Sequence, residues 1–258
     1  VNLDEHGGRH KMLTEERFAY ILAKVKEMGS VTVQQLMAEL DASESTIRRD
    51  LTTLNANGSL IKVYGGAVRK NIGLTTLDEN VKKRQEMNRD SKIRIAKYAA
   101  GLIRSDDFVY LDAGTTTEAM IKYIAQGSTT FVTNAVSHAR LLAARNFKVY
   151  LLGGEFKAIT EAIVGEEAVV TLAKYNFTKG FWGANGISIQ KGYSTPEVKE
   201  ALVKQISMEN CEECYVLSDD SKLDQVSSVS FAPFKSARLI TTGNIPQTFL
   251  KCANVIRI

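Results

Sequence analysis

Cysteine is scarce: three in 258 residues, an odd number with no disulfide framework, which fits a reducing compartment. Cys211 and Cys214 form a C-x-x-C, but a zinc site needs further ligands, and only Cys252 and three scattered histidines remain. A redox pair belongs at a helix N-terminus, whereas this pair ends a helical stretch and enters the strand-like CYVL. It reads as structural. Long apolar runs are lacking too, none approaching the roughly 20 residues that cross a bilayer. The opening VNLDEHGGRHKM is polar and glycine-bearing rather than a secretory signal, so residues 1–12 are expected to be a disordered extension of a cytoplasmic chain. Excess charge is modest at +4, too little to demand nucleic acid by itself.

What is present is an ordinary globular composition, 44% hydrophobic and 24% charged, long enough for one large domain or a small one joined to a medium one. The charge is unevenly spread. Between residues 45 and 70 stand five basic side chains, Arg48, Arg49, Lys62, Arg69 and Lys70, against one acid, Asp50. That is a local electrostatic footprint.

Within it, ASESTIRRDL (residues 42–51) predicts a helix from Glu44 with Ser43 as N-cap. Ile47, Leu51 and Leu54 form its apolar stripe, while Ser45, Arg49 and Thr52 point away, flanked by Thr46 and Arg48. Such a face is either solvated or made for phosphates and base edges. Its neighbours decide. Upstream, Thr32 with Gln35 is a capping box opening a helix with Val33, Leu36, Met37 and Leu40 on one face, and a tight Asp41-Ala42-Ser43 turn follows. Downstream, LIKVYGGAVRK reads as a β-hairpin turning at Gly65-Gly66. Helix, turn, basic helix and hairpin make a winged helix-turn-helix.

SESTIRRDL, NGSLIKVYGGA and the spacing between them resemble the DNA-binding head of DeoR-type bacterial transcription regulators. That resemblance implies that the TIRRDL helix enters the major groove of double-stranded operator DNA. It also implies contacts from Ser45, Thr46, Arg48 and Arg49, joined by Lys62, Tyr64 and Arg69 of the wing. Asp50 can pair with an arginine, and Tyr64 either contacts DNA or packs. The head is expected over 13–70 and a charged linker or solvated helix over 71–90, carrying Lys82-Lys83-Arg84.

From Phe108 the period changes. FVYLD, TFVT, KVYLL, KGFWG, CYVL, RLITT and NVIRI alternate with helical stretches, predicting an α/β domain with a largely parallel sheet over 91–258. Ligands of such sheets gather beyond the carboxyl ends of the strands. Those ends carry DAGTTTEAM, Thr133-Asn134-Ala135, Gly153-Gly154-Glu155 and Gly183-Ala184-Asn185-Gly186. Gly114 admits a ligand to the backbone, and Thr115, Thr116 and Thr117 set hydroxyls beside free N–H groups, a setting suited to phosphate. Asp112 either accepts from a sugar hydroxyl or caps its turn. Thr195-Pro196-Glu197 reads as N-cap, N1 proline and first-turn acid of another helix.

LDAGTTT, TNA, LGGE, GANGI, YSTPE and LSDDSK are similar, in order, to the effector-domain motifs of the same DeoR family. The resemblance implies a fold like ribose-phosphate isomerases and CoA transferases, and a pocket for a phosphorylated sugar. Its lining would be Asp112, Gly114, Thr115, Thr116, Asn134, Gly153, Asn185, Glu197, Lys204 and Lys222. MLTEERF, NGIS with GYSTPE and ECYVLSDDSK are most like the branch that represses fructose phosphotransferase operons, implying fructose 1-phosphate. AITEAIVGEEA is also similar to lactose phosphotransferase repressors, implying tagatose 6-phosphate. A homodimer or tetramer is expected, since paired half-sites gain affinity through symmetry. Neither cofactor, metal nor catalytic residue is implied. The rival reading is a sugar-phosphate isomerase with a fused DNA-binding head, Glu197 serving as base beside a lysine.

Overall fold

The structure, a computed structural model, describes residues 12–28, 30–57, 59–68, 74–75 and 81–258. Residues 1–11 of the extension expected over 1–12 and the wing residue Arg69 lie outside them. The chain divides into two compact units, 1–71 and 72–258.

The first unit runs α1 (Thr14–Met28), β1 (Ser30–Thr32), α2 (Val33–Leu40), α3 (Glu44–Ala56), β2 (Ile61–Val63) and β3 (Gly66–Val68). Thr32 caps α2 in a reciprocal box with Gln35, and Ser43 caps α3 by accepting from the Thr46 N–H. Ile21 and Val25 of α1, Leu36 of α2 and Ile47, Leu51 and Leu54 of α3 close a common core. The strands form an antiparallel sheet in the order β1-β3-β2, so the hairpin is anchored to β1 rather than standing alone. Gly66 permits this closeness, because a Cβ there would lie 2.1 Å from the Val31 carbonyl oxygen. Asp50 is buried on α3 and receives two hydrogen bonds from Arg17 of α1, Nε at 2.8 Å and Nη2 at 3.1 Å. This bidentate pair fixes the rotation of α3 about its axis.

The second unit begins with β4 (Leu74–Thr75), α4 (Val81–Glu86), α5 (Arg89–Ala100), β5 (Phe108–Leu111) and α6 (Thr115–Ile121). It continues through β6 (Thr130–Thr133), α7 (Val136–Ala144), β7 (Lys148–Leu151), β8 (Glu155–Lys157), β9 (Ala162–Val164) and α8 (Glu166–Leu172). Next come β10 (Phe177–Trp182), β11 (Gly186–Ser188), β12 (Gly192–Thr195), α9 (Val198–Glu209) and β13 (Cys211–Leu217). β14 (Val226–Ser227), β15 (Val229–Ala232), β16 (Arg238–Thr241), α10 (Gln247–Leu250) and β17 (Val255–Arg257) complete it.

Seven strands, one for each predicted run, form a parallel sheet in the order β17-β16-β13-β10-β5-β6-β7. Side chains alternate between two apolar layers, as strands covered on both faces must. Val109, Leu111, Phe181 and Tyr215 meet α5, α6 and α7, whereas Tyr110, Trp182 and Val216 meet α8 and α9. Gly180 leaves room for the Trp182 indole, which a Cβ would approach to 2.1 Å. The winding starts at β5, proceeds outward through β6 and β7, then returns to the other side of β5 at β10. β5 and β10 therefore flank a topological switch point, where connections leave in opposite directions and a crevice opens at the carboxyl ends.

The stretch expected as a linker, 71–90, contains β4 and α4 and groups with the second unit from Ile72 onward. β4 pairs with β14, Val81 is buried, and Gln85 donates to Glu118 of α6 at 2.9 Å. Sparse apolar periodicity hid these anchors. Thr195 is not the N-cap of α9: it ends β12 and turns its hydroxyl to Asn185 and Glu200. Glu197 caps instead, accepting from the N–H groups of Lys199 and Glu200.

Arg17→Ala leaves Asp50 buried without its partner, a loss of about 2–3 kcal/mol expected for a stranded partly buried charge. The first calorimetric unfolding transition should fall accordingly, and Asp50→Asn in the same background should recover part of it. An unmoved transition contradicts this role for the pair.

Candidate functional site

On the first unit, the exposed side of α3 carries Ser45, Arg48, Arg49 and Thr52, with Thr46 half-buried. Ser45 and Thr46 hydroxyls gather on Ser43 Oγ at 3.0 and 2.9 Å. Arg48 is held one turn back by Glu44, with Nε at 2.7 Å from Oε1. Arg49 is exposed and makes no side-chain hydrogen bond among the described residues. Lys62 ties the wing to the helix: its Nζ donates to Thr52 Oγ1 at 2.7 Å and its N–H to Asn55 Oδ1 at 2.9 Å. Tyr64, at the hairpin turn, is fully exposed. The face thus presents guanidinium, ammonium, hydroxyl and phenol groups, with α3 held below by its apolar stripe and Asp50.

On the second unit, a cleft opens at the carboxyl ends of the strands. Of the ten residues expected there, eight line it: Asp112, Gly114, Thr115, Thr116, Asn134, Asn185, Lys204 and Lys222. Asp112 follows β5, Gly114 to Thr116 open α6, Asn134 follows β6, Asn185 follows β10, and Lys222 closes the turn after β13. Lys204 reaches in from α9.

Gly153 and Glu197 do not line the cleft. Gly153 follows β7, the edge strand, and is exposed at the sheet margin. Glu197 spends both carboxylate oxygens capping α9, at 3.1 Å from the Lys199 nitrogen and 3.2 Å from that of Glu200. The glutamate that lines the cleft is Glu200, one turn before Lys204 on the same helix face, a spacing visible in the sequence.

Asp112 is wholly buried. Its Oδ2 accepts from Lys204 Nζ and from the Gly183 N–H at 3.2 Å, so residues after β5 and β10 are joined across the switch point through α9. Its Oδ1 has no hydrogen-bond partner among the described residues. Burial raises the Asp112 carboxyl above its ordinary value, against the opposing pull of Lys204 and the Gly183 N–H. Lys204 also donates to the Gly183 carbonyl at 3.3 Å and stands over the Phe231 ring. Glu200 accepts from Thr160 Oγ1 at 2.7 Å and Lys157 Nζ at 3.3 Å. Burial works to raise its carboxyl, but Lys204, Thr160 and Lys157 outweigh it and hold the group low.

Asn134 braces the floor, accepting from the Ala113 N–H at 2.8 Å and donating to the Ile163 carbonyl at 3.3 Å. Behind the α6 turn, Thr117 Oγ1 lies 2.7 Å from the Asp112 carbonyl oxygen and 3.1 Å from Nε2 of the buried His138. The single hydroxyl proton goes to a carbonyl, which assigns Nε2–H to His138 as donor and leaves Nδ1 to accept from Ser137 at 3.2 Å. Glu118 N–H donates to the Gly114 carbonyl as the first bond of α6, so the N–H groups of Gly114, Thr115 and Thr116 precede its ladder. Sequence reasoning also missed Arg84, Asn88, Lys92 and Thr160 on the cleft wall. The first two sit in the stretch whose charge density reads as solvent-facing.

Residues 17–72 match the DeoR-like helix-turn-helix domain, and residues 87–244 match the DeoR C terminal sensor domain. The chain is 39% identical to a Bacillus subtilis protein described as the uncharacterized HTH-type transcriptional regulator FruR, over 92% of this chain and 94% of that one. It is 33% identical to the lactose phosphotransferase system repressor of Staphylococcus epidermidis, over 89% and 92%. Among solved structures, ribose 5-phosphate isomerase A from Methanocaldococcus jannaschii is 18% identical over 53% of this chain and 55% of that one. Its TM-score is 0.38, a likeness too slight to assign a function.

Burial pushes the His138 imidazole down to about 3 from its ordinary 6.5. The folded protein keeps it neutral while the unfolded chain takes a proton. The stabilisation is complete above the unfolded value of 6.5 and is lost as pH falls toward 3. The loss runs at about 1.4 kcal/mol per pH unit. The stability advantage of the native protein over His138→Asn should shrink at that slope in acid. Parallel pH profiles contradict a buried neutral imidazole.

Proposed function

Because the chain belongs to the DeoR family of helix-turn-helix transcriptional regulators, we propose that it represses a sugar uptake or catabolism operon and leaves its operator when a phosphorylated sugar fills the cleft. The observation that carries the effector half is Asp112 Oδ1, a buried acceptor left open beside Lys204 and next to the N–H and hydroxyl groups of the Gly114–Thr116 turn. A buried acceptor without a donor is costly, and a sugar hydroxyl supplies one. The turn supplies donors for a phosphate.

The DNA half rests on α3 and the wing. Arg49, with no competing partner among the described residues, is assigned to a base edge. Arg48, braced by Glu44, and Ser45, Thr46, Lys62 and Tyr64 are assigned to backbone or neighbouring bases. Regulation follows by linkage: the effector must bind the DNA-incompetent arrangement better, and operator must then weaken effector binding by the same factor. Moving from mostly bound to mostly free takes about 10⁴-fold preference, roughly 5.5 kcal/mol. A homodimer or tetramer, matching paired half-sites, spreads that demand over subunits. The working compartment is the cytoplasm, where the operator is.

Fructose 1-phosphate is the first candidate, on the resemblance of NGIS, GYSTPE and ECYVLSDDSK to the fructose-operon branch, and tagatose 6-phosphate the second. An isomerase is disfavoured by Glu197, whose carboxylate oxygens serve as a helix cap away from the cleft.

Fructose 1-phosphate at about 100 times its Kd should stabilise the full chain by about 2.7 kcal/mol, raising the melting temperature by several degrees, with no rise for fructose. A rise with tagatose 6-phosphate alone keeps the regulator and changes its pathway; no rise with any sugar phosphate contradicts the effector reading. On the operator, Arg49→Ala should cost about 1–3 kcal/mol and relax discrimination at one base pair, whereas Lys62→Ala should lower the salt slope by about one. Equal affinity for operator and random DNA in the unaltered protein would falsify the base-reading role.

A further inference from the structure

The two family matches, residues 17–72 and 87–244, leave a short stretch between them, and one of its side chains reaches the cleft. Arg84 lies on α4 and lines the wall. Its Nε is buried and has no hydrogen-bond partner among the described residues. Lys204 is engaged by Asp112, and Lys92 by the Arg84 carbonyl. Arg84 and Lys222 thus remain as cleft cations with no acidic partner among the described residues. A guanidinium N–H without an acceptor, in a wall that already holds an acceptor without a donor at Asp112 Oδ1, calls for a ligand with an anionic oxygen and a hydroxyl.

The segment bearing Arg84 is fastened to the loop that carries Lys222. Asn88, in a left-handed backbone conformation at φ 51°, donates from Nδ2 to Asp219 Oδ1 at 3.0 Å. β4 pairs in parallel with β14 just beyond that loop, Leu74 with Val226 and Thr75 with Ser227. In sequence, this segment directly follows the DNA-binding match.

We propose that Arg84 is an effector-binding residue, donating its Nε–H and a neighbouring N–H to two phosphate oxygens of the sugar phosphate, so that filling the cleft fixes α4. The proposal rests on the sugar-phosphate reading of the cleft. Arginine suits the task because its planar fork meets two phosphate oxygens at once, which an ammonium cannot do. The sensor match begins at residue 87, so the assignment places a ligand contact outside the matched sensor domain. It also makes the position of α4 respond directly to occupancy of the cleft.

The test is calorimetric titration of the full chain with fructose 1-phosphate, tagatose 6-phosphate and fructose, for the native protein, Arg84→Lys and Arg84→Gln. Ligand-free melting curves check folding, and the lysine variant serves if the glutamine one fails. Arg84→Gln should weaken the phosphorylated ligand by about 10- to 100-fold and Arg84→Lys by less, as loss of a charged, forked hydrogen bond dictates. Amide hydrogen exchange over 81–88 should slow on adding the sugar phosphate to the native protein and stay unchanged in Arg84→Gln. Binding by both variants within twofold of native, or exchange over 81–88 indifferent to ligand in the native protein, overturns the assignment while leaving the effector reading intact. Failure of the native protein to bind either sugar phosphate overturns both.

Discussion

The Asp112–Lys204 ion pair is the interaction on which the second unit turns. Both groups are buried, and each charge is tolerated only because the other is there. Through the Gly183 N–H and carbonyl, the pair ties the ends of β5 and β10 to α9 across the one place where the parallel sheet changes winding direction. A switch point separates two loops; here a salt bridge draws them back together. Geometry leaves one oxygen of Asp112 unused, and the cleft forms around it. The Glu200 carboxylate, fixed by Thr160, Thr195 and Lys157, adds a second buried charge that stays ionised beside Lys204. The result is a polar, preorganised cavity under a structured floor, suited to a ligand rich in hydroxyls and carrying one strong anion.

The DNA-binding unit obeys the same economy on a smaller scale. Asp50 is the one charged residue of α3 that is buried, and Arg17 meets it from α1 with two hydrogen bonds. The neighbouring Arg48 and Arg49 remain outside. The RRD triplet thus divides between two cations on the exposed face and one anion held in the scaffold. Lys62 then joins the wing to α3 through Thr52 and Asn55, so that helix and hairpin present one rigid contact surface.

Much of this was legible in the sequence, for identifiable reasons. The seven parallel strands announce themselves as short apolar runs, because both faces of each central strand are covered. Caps at Thr32 and Ser43 are local chemistry and therefore readable. Loops at strand ends pointed to the cleft because topology puts them there. The misreadings share another cause, dependence on distant partners. Glu197 and Glu200 stand three positions apart, and only the cap geometry of α9 decides which one turns inward. Gly153 sits in a motif like the others but follows an edge strand, and strand order is invisible in one chain. Arg84 was hidden in a charge run, KKR, of the kind that reads as a solvated face. The hairpin of β8 and β9 and the small sheet of β11, β12 and β15 also went unread, being three- and four-residue strands with no periodicity to speak of.

Coupling of an operator-reading face to a sugar-phosphate cleft in one chain, as proposed above, has to be reciprocal. The most direct measurement is the affinity of the full chain for its sugar phosphate, titrated with and without saturating operator DNA. Effector should bind more weakly on the operator, by the same factor by which effector weakens operator binding. Identical effector affinity in the two titrations would contradict it, leaving a DNA-binding unit and a sugar-binding unit that share a chain without communicating.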